Sequence, residues 1–422
     1  MYTQNLHYMQ TESVDKGTLQ VQVQSRLGYI PIQNARVTIA YATNPEDIIE
    51  ELVTDSSGQT QSIELSTPPL EYSMEPGQPQ PYSNYIVTVE APEYQQVKVT
   101  GTELFSGEKA IQDIRMNPQG AGIDEVANIA IPPNTLFGDF PPKIAEAEIK
   151  PVADTGEIVL SRVVVPEYMV VHDGTPGDNT AENYYVKYRD YIKNVASSEI
   201  YSTWPESTIR ANVLAIMSFS LNRVYTEWYR NKGYDFTVTT STAYDQKYIY
   251  GRNIFSNISL IVDEIFANYL SRPNVKQPIL TQYCDGERVT CPNWLSQWGS
   301  KYLGDQNYNT IDIIRYYYGN NMYVNEAEEI SGIPSSWPGE TLSVGASGSK
   351  VRQMQEQLAR ISQTYTAIPT PAADGAFGPG TERAVREFQR IFDLPATGVV
   401  DYATWYKISA IYVAVSRLAE LV

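Results

Sequence analysis

Apolar and polar residues alternate with a period of two in five stretches near the N-terminus. They are LQVQV (Leu19–Val23), ARVTIA (Ala35–Ala40), QSIEL (Gln61–Leu65), NYIVTVEA (Asn84–Ala91) and QQVKVTG (Gln95–Gly101). Alternation sends successive side chains to opposite faces of an extended chain, so each stretch reads as a half-buried strand. Tyr29-Ile30-Pro31, Thr54–Gly58 and the Pro-rich run 66–83 supply turn chemistry between them. Residues 1–116 are therefore expected to form a β-sandwich. From 117 to 162 the period is lost, and NPQGAG, IPPN and FPPK interrupt any long helix. That stretch predicts a linker.

At Tyr191 the period becomes helical. Ile192, Val195, Ala196 and Ile200 share one face, and Glu199 falls on the same inward stripe. Beyond the Trp204-Pro205 break, Pro205 opens a second helix with Ile209, Val213, Ile216, Met217 and Ser220 on one side. Ser202 or Thr203 stands ready to cap it, and Glu206 lies in its first turn. FTVTTSTAYDQKYIYG is strand-like. Asn253–Leu270 predicts a third amphipathic helix through Ile254, Ile258, Ile261, Val262, Ile265 and Tyr269, with Asp263 and Glu264 on its solvated side. PILTQYCDGE reads as a strand entering a loop, and TIDIIRYYYG as a short element stopped by Gly319. Residues 163–335 thus predict an α+β domain. In residues 340–422 two Gly-containing turns each feed a helix, one with Val351, Met354, Leu358 and Ile361, the other with Ala384, Val385, Phe388 and Phe392. A last helix, Ser409–Val422, is expected to pack back on this small module. The class is multidomain α+β.

Composition narrows the partners. The 422 residues carry a formal charge of −18, which argues against nucleic acid and anionic membranes. No apolar run approaches the roughly 20 residues that span a bilayer. MYTQNLHYMQTESVD has neither a basic region nor an apolar core, so no secretory signal is expected. Tyrosines number 32 against 10 phenylalanines, a composition suited to surfaces that stack on sugars and hydrogen-bond them. Cys284 and Cys291 are the two cysteines, and His7 and His172 the two histidines, both remote from them in sequence. A disulfide, a plain thiol pair and a zinc site all remain open for Cys284 and Cys291.

The candidate chemistry centres on Glu199. A carboxylate on an inward stripe is paired, neutralised or poised for proton transfer, because burying its charge alone is costly. A structural ion pair with Arg210 or Arg223 is the plain alternative.

Tyr191, Glu199, Trp204, Pro205, Arg210, Ala211, Asn212 and Ala215 stand in a pattern that resembles the catalytic domain of stage II sporulation protein D, the SpoIID/LytB family of lytic transglycosylases. The resemblance resumes at DQKYIYG (Asp245–Gly251) and at CPNWLSQWGSKYLGDQNYNTIDIIRYYYG (Cys291–Gly319). It departs at Met217-Ser218, where that family has an Arg-Thr pair. Relatives in that family bind zinc through Cys and His in this neighbourhood, but no His lies near the two cysteines here. PIQNARVTIA followed by TDSSGQT resembles prealbumin-like domains. Asp374-Gly375, Phe377-Gly378, Thr381, Ala384-Val385, Phe388-Gln389 and Gly398-Val399 resemble the type 1 peptidoglycan-binding domain of three helices. The order of the three parts is similar to that of the SleC-like spore cortex-lytic enzymes.

That resemblance implies a zymogen active in spore germination and held in the cortex or coat region. It would be made without a signal peptide in the mother cell and activated by a subtilisin-like Csp protease cutting between about Lys143 and Val165. It implies Glu199 as acid/base of lytic transglycosylation, since one carboxylate suffices when the muramic 6-hydroxyl closes an anhydro ring, whereas hydrolysis ordinarily uses two. Tyr201, Trp204, Gln246, Tyr248, Tyr250, Ser296, Gln297 and Trp298 are the candidates for gripping sugar. No cofactor is expected. The alternatives are an N-acetylmuramoyl-L-alanine amidase, for which the chain is short of histidines, and a non-catalytic wall-binding protein or amidase enhancer.

Overall fold

The computed structural model describes residues 14–26, 29–120, 126–138, 141–150, 162–332 and 336–417. Strands β1 (Asp15–Ser25), β2 (Arg36–Tyr41), β3 (Asn44–Val53), β4 (Ile63–Thr67), β5 (Ser83–Glu90), β6 (Val97–Leu104), β7 (Lys109–Met116) and β8 (Ala127–Ala130) build the N-terminal module. One sheet runs β3-β2-β5-β6-β8; the other contains β7-β1-β4, with β1 parallel to β7 and antiparallel to β4. The alternation works as expected: Leu19, Val21 and Val23 of β1 and Val37 and Ile39 of β2 are buried, as are Val87 and Val89 of β5. Two strands go beyond the alternating stretches. β3 is an acidic, mostly exposed strand at the sheet edge, with irregular register, so no period of two marks it. β8 lies inside the predicted linker and pairs parallel to β6. At Gly101 the backbone has φ +96°, and a Cβ there would stand 2.5 Å from the Ile131 carbonyl oxygen. Only glycine lets the chain leaving β8 pass so close.

The central part contains strands β9 (Val164–Val165), β10 (Tyr168–His172) and β11 (Asn183–Lys187), then helices α1 (Tyr188–Glu199) and α2 (Glu206–Tyr225). They are followed by β12 (Val238–Thr239), β13 (Ile254–Phe255), α3 (Ser256–Ile265), β14 (Asn268–Ser271), β15 (Tyr283–Cys284), β16 (Leu295–Ser296), α4 (Gln297–Asp305), α5 (Thr310–Tyr318), β17 (Tyr323–Glu326) and β18 (Glu329–Ile330). The third predicted helix is shorter than its apolar period. Ile254 and Phe255 instead pair with Ile111 and Ala110 of β7, adding β13 to the N-terminal sheet, and 268–271 pair with β17. Flanking β-branched and aromatic residues found open strand edges, and tertiary pairing overrode the local period.

Two other expectations are corrected. Neither Ser202 nor Thr203 caps α2, whose N-cap is Pro205; the Thr203 hydroxyl donates to Ser73 Oγ instead, at 2.8 Å. Asp263 is not solvated but 1% exposed, with Lys193, Arg189 and Lys407 around it. Its partners come from α1 and from a C-terminal helix, contacts that no local pattern reveals. Glu264 does stay near solvent, paired with Arg210.

The C-terminal module is α6 (Ser349–Ile361), α7 (Pro379–Ile391) and α8 (Tyr402–Arg417). The last helix starts at Tyr402, seven positions before the expected Ser409, and packs on α6 and on α3. Residues 418–422 of the expected helix lie outside the described residues. A buried Gln organises each repeat. Gln355 accepts from the Gly375 N–H at 2.8 Å and donates to the Ala376 carbonyl at 2.9 Å; Gln389 accepts from the Gly398 N–H and donates to the Val399 carbonyl, both at 2.8 Å. Each carboxamide thereby stands in for a backbone partner and fixes its turn.

Candidate active site

Glu199 ends α1 and is fully buried. Its Oε1 accepts from the Lys247 N–H at 2.6 Å, and its Oε2 from the Tyr283 hydroxyl at 2.5 Å. Burial pushes its proton affinity above the ordinary carboxyl value; the Lys143 ammonium is the strongest opposing influence, ahead of the two hydrogen bonds. The negative end of the α1 dipole acts in the same direction as burial. The structural ion pairs considered for Glu199 are not formed. Arg210 binds Glu206 and Glu264, while Arg223 binds Asp245 at 2.7 Å and Glu146 at 2.6 Å. Asp245 is further held by the Tyr229 hydroxyl at 2.6 Å and the Thr239 N–H at 2.8 Å. Glu199 is thus a buried carboxyl hydrogen-bonded by a phenol and a backbone amide and by no arginine.

The predicted sugar-gripping residues do not form one cluster. Gln246 sits beside Glu199 through Tyr283, fully buried; its Oε1 accepts from Tyr191 at 3.0 Å and Ser220 at 2.8 Å. Tyr201, Trp204 and Trp298 form one aromatic cluster, with ring centroids 5.0–5.8 Å apart. Tyr248 stacks on Tyr191 within the core. Tyr250 is partly exposed and stacks on Tyr184, whose ring also packs against Tyr248. Ser296 caps α4 by accepting from the Gly299 N–H at 2.9 Å. Gln297, 1% exposed, has a carboxamide with no hydrogen-bond partner among the described residues. Such a group is costly to leave dry, and it is suited to receive a polar ligand or water. Of the Met217-Ser218 pair, Met217 is core, and the Ser218 hydroxyl joins α2 to β14 through the Leu270 N–H at 3.1 Å.

Residues 131–138 and 141–150, expected as part of a linker, lie along this region. Asn134 and Thr135 bond the carbonyls of Ser197 and Ser198 at the end of α1. Ile144 and Glu146 bond Ala243 and Gln282; Glu148 and Lys150 bond Leu280 and Gln277. Lys143 is buried there, its ammonium 4.8 Å from the centroid of the Tyr283 ring and donating to the carbonyls of Thr242 and Asp245. Burial draws its proton affinity down, and Glu199 is the foremost charge restoring it. The aromatic cluster is covered as well: the Trp204 Nε1–H donates to the Ser73 carbonyl at 3.0 Å, and Phe105 packs on Tyr201. Of the expected cut region between about Lys143 and Val165, residues 151–161 lie outside the described residues.

Sequence reasoning missed Tyr283 and Lys143 as neighbours of Glu199. Tyr283 stood inside a stretch marked only as a strand, and Lys143 in a supposed linker; no spacing relates them. Cys284 and Cys291 are joined to each other, closing a loop next to Tyr283. His172 stacks on Phe236 and bonds Asn183, away from that loop; His7 lies outside the described residues. Among the described residues no three His, Cys, Asp or Glu side chains converge as a metal site, and no helix is long and apolar enough to cross a membrane.

Residues 347–408 match the family described as a peptidoglycan binding domain. The C-terminal module is a peptidoglycan-binding domain. The chain is 44% identical over 73 residues to the zinc D-Ala-D-Ala carboxypeptidase of Streptomyces albus G, a match covering 17% of this chain and 27% of that protein. The chain thus spans about a quarter of that relative's length. Among solved structures, the SleB N-terminal domain is 33% identical over 17% of this chain and 93% of its own, with a TM-score of 0.15. A catechol 1,2-dioxygenase from Acinetobacter sp. ADP1 is 13% identical over 28% of this chain and 60% of its own, with a TM-score of 0.20.

Proposed function

We propose that this chain is a peptidoglycan lytic transglycosylase of the SleC-like, SpoIID-containing kind, made as a precursor and acting on spore cortex during germination. Glu199 is its acid and base. The observation that carries the reading is the state of Glu199: buried, free of any arginine, and pushed toward its protonated form. A protonated Glu199 donates to the glycosidic oxygen as the bond to muramic C1 breaks. The resulting carboxylate takes the proton of the muramic 6-hydroxyl, whose oxygen closes on C1 to give the 1,6-anhydro product. No water is consumed and one carboxyl serves both steps. The Tyr201–Trp204–Trp298 cluster offers apolar faces for sugar rings, and the Gln297 carboxamide a partner for N-acetyl or hydroxyl groups.

The precursor reading is supported by the cover over this region. Glu199 is buried, Thr135 bonds the end of its helix at the Ser198 carbonyl, and the turn at Ser73 covers Trp204. Removal by a subtilisin-like protease in the spore, as in the family it resembles, would uncover this region. The C-terminal module would hold the enzyme on the wall.

The test is digestion of purified cortex by the chain opened with a site-specific protease at a recognition sequence placed between Lys150 and Arg162, with mass analysis of the fragments. Anhydromuramic ends that vanish with Glu199→Gln are expected. Reducing ends, released peptides or no soluble product would refute the reading.

A further inference from the structure

We propose that Tyr283 is the positioning residue for Glu199: fixed as a donor by Gln246, it holds one carboxyl oxygen and stabilises the anion left when the proton departs. This rests on the reading of Glu199 as acid and base. The Gln246 carbonyl oxygen is taken by the hydroxyls of Tyr191 and Ser220, at 3.0 and 2.8 Å. Its amide nitrogen donates to the Ile216 carbonyl at 3.1 Å and to the Tyr283 oxygen. A phenol has one hydrogen. With its oxygen receiving from Gln246, Tyr283 directs that hydrogen to Glu199 Oε2 at 2.5 Å. Lys247 N–H occupies one lone pair of Oε1 in the same way. The proton that Glu199 would donate is thereby confined to the lone pairs that neither donor uses.

The backbone holds Tyr283 independently of Glu199. Tyr283 pairs with Leu295 in the parallel β15–β16 register, and the Cys284–Cys291 bond closes the loop immediately after it. Its ring is 1% exposed, so water cannot replace the hydrogen bond in this closed form. The other groups that act on Glu199 are the ammonium of Lys143 and the charge of Lys247. Asp245 and Arg223 next to them are bound to each other. Tyr283 is thus the sole side chain hydrogen-bonded to this carboxyl among the described residues.

A hydrogen bond to the ionised form favours it, and it is stronger than a neutral one. Tyr283→Phe then has two effects of opposite sign. Glu199 keeps its proton to a pH higher by about one to two. Cleavage at low pH slows by about ten- to a hundredfold, because the carboxylate developing in the transition state has lost its donor.

The deciding measurement is an infrared titration of the full chain, with the Glu199 carboxyl band identified by its loss in Glu199→Gln. The band should persist to higher pH in Tyr283→Phe and to lower pH with 3-fluorotyrosine at position 283, which keeps the shape and donates more strongly. The fluorinated chain also decides the matter if the phenylalanine variant does not fold. An unmoved midpoint in the folded variants, or one that moves the opposite way, overturns the proposal. Cleavage by the opened chain gives the second readout: a lower plateau with the basic limb displaced upward is expected, and a lower plateau with an unmoved limb would leave Tyr283 a packing residue. If Glu199→Gln retained cleavage, the transglycosylase reading would fall, while the infrared result would still report on the hydrogen bond.

Discussion

Asp263→Asn tests whether the C-terminal module and the Glu199 helix are joined through one buried charge. Asp263 is 1% exposed and binds Lys193 at 2.6 Å, Arg189 at 3.2 Å and Lys407 at 3.3 Å. Those cations belong to α1 and α8, so the carboxylate ties three helices together. Burial already draws the Lys193 ammonium down to about 8, with Asp263 the main influence opposing it. Removing one member of a buried pair costs about 3–5 kcal/mol, and the partial exposure of Arg189 and Lys407 points to the lower end. At about 2–4 °C per kcal/mol this is a drop near 10 °C in the melting temperature at pH 6. The pH dependence has a fixed sign. The three cations hold the Asp263 carboxyl well below the usual aspartate range, so its stabilisation is complete above the unfolded value of about 3.9 and is lost as the pH falls further. The gap between wild type and variant should shrink by about 1.4 kcal/mol for each pH step below 4. Scanning calorimetry of both chains from pH 6 to pH 3 checks this. A gap below about 1 kcal/mol at pH 6, or one independent of pH, would refute the reasoning.

Three further outcomes are expected. Replacing Gln277 and Gln282 by alanine removes hydrogen bonds to the backbone of Ile144, Glu146 and Lys150. At about 1 kcal/mol for each of four bonds, amide exchange of residues 144–150 should quicken by about a thousandfold; less than tenfold would refute the count. Gly304→Ala places a Cβ 2.1 Å from the Thr208 hydroxyl, forcing α4 from α2, and should cost about 1–3 kcal/mol in thermal unfolding. Gln355→Leu leaves the Gly375 N–H without its partner and should weaken sedimentation with insoluble peptidoglycan along with the module's melting temperature; unchanged binding would separate the turn from the wall-contacting surface.

Much of the architecture was legible because local period and burial agree. β1, β2, β5 and β6 follow their alternation, and the two Gln-centred repeats of the C-terminal module follow their helical spacing. What escaped depends on pairing across long separations. β13 became a strand because β7 offered it an edge, and Asp263 was buried because α8 brought Lys407 to it. At the site, the stripe through Ile192 and Val195 correctly turned Glu199 inward. It could not show that Tyr283, 84 positions later, would be the residue it meets. Nor did the polar tail of the 236–251 stretch distinguish Gln246, which orients Tyr283, from Tyr250, which stacks on Tyr184.

The proximity of Lys143 to Glu199 bears on more than access. The proposed acid role requires Glu199 to hold its proton, and the charge most opposed to that in this structure is the Lys143 ammonium. Burial and the helix end favour the protonated carboxyl, while the ammonium favours the anion. Substituting a neutral sugar for the ammonium would leave the first two influences and remove the third. Under the proposed function, Glu199 would then become the stronger proton holder on substrate binding. Lys143→Met reproduces that change within the intact chain. The methionine keeps most of the buried stem and deletes the cation with its hydrogen bonds to the Thr242 and Asp245 carbonyls, so Glu199 should retain its proton to higher pH than in the parent chain. The titration of the Glu199 carboxyl band measures this directly, and the expected direction is fixed by the sign of the lost charge. A midpoint that stays in place would mean that Lys143 is screened from Glu199.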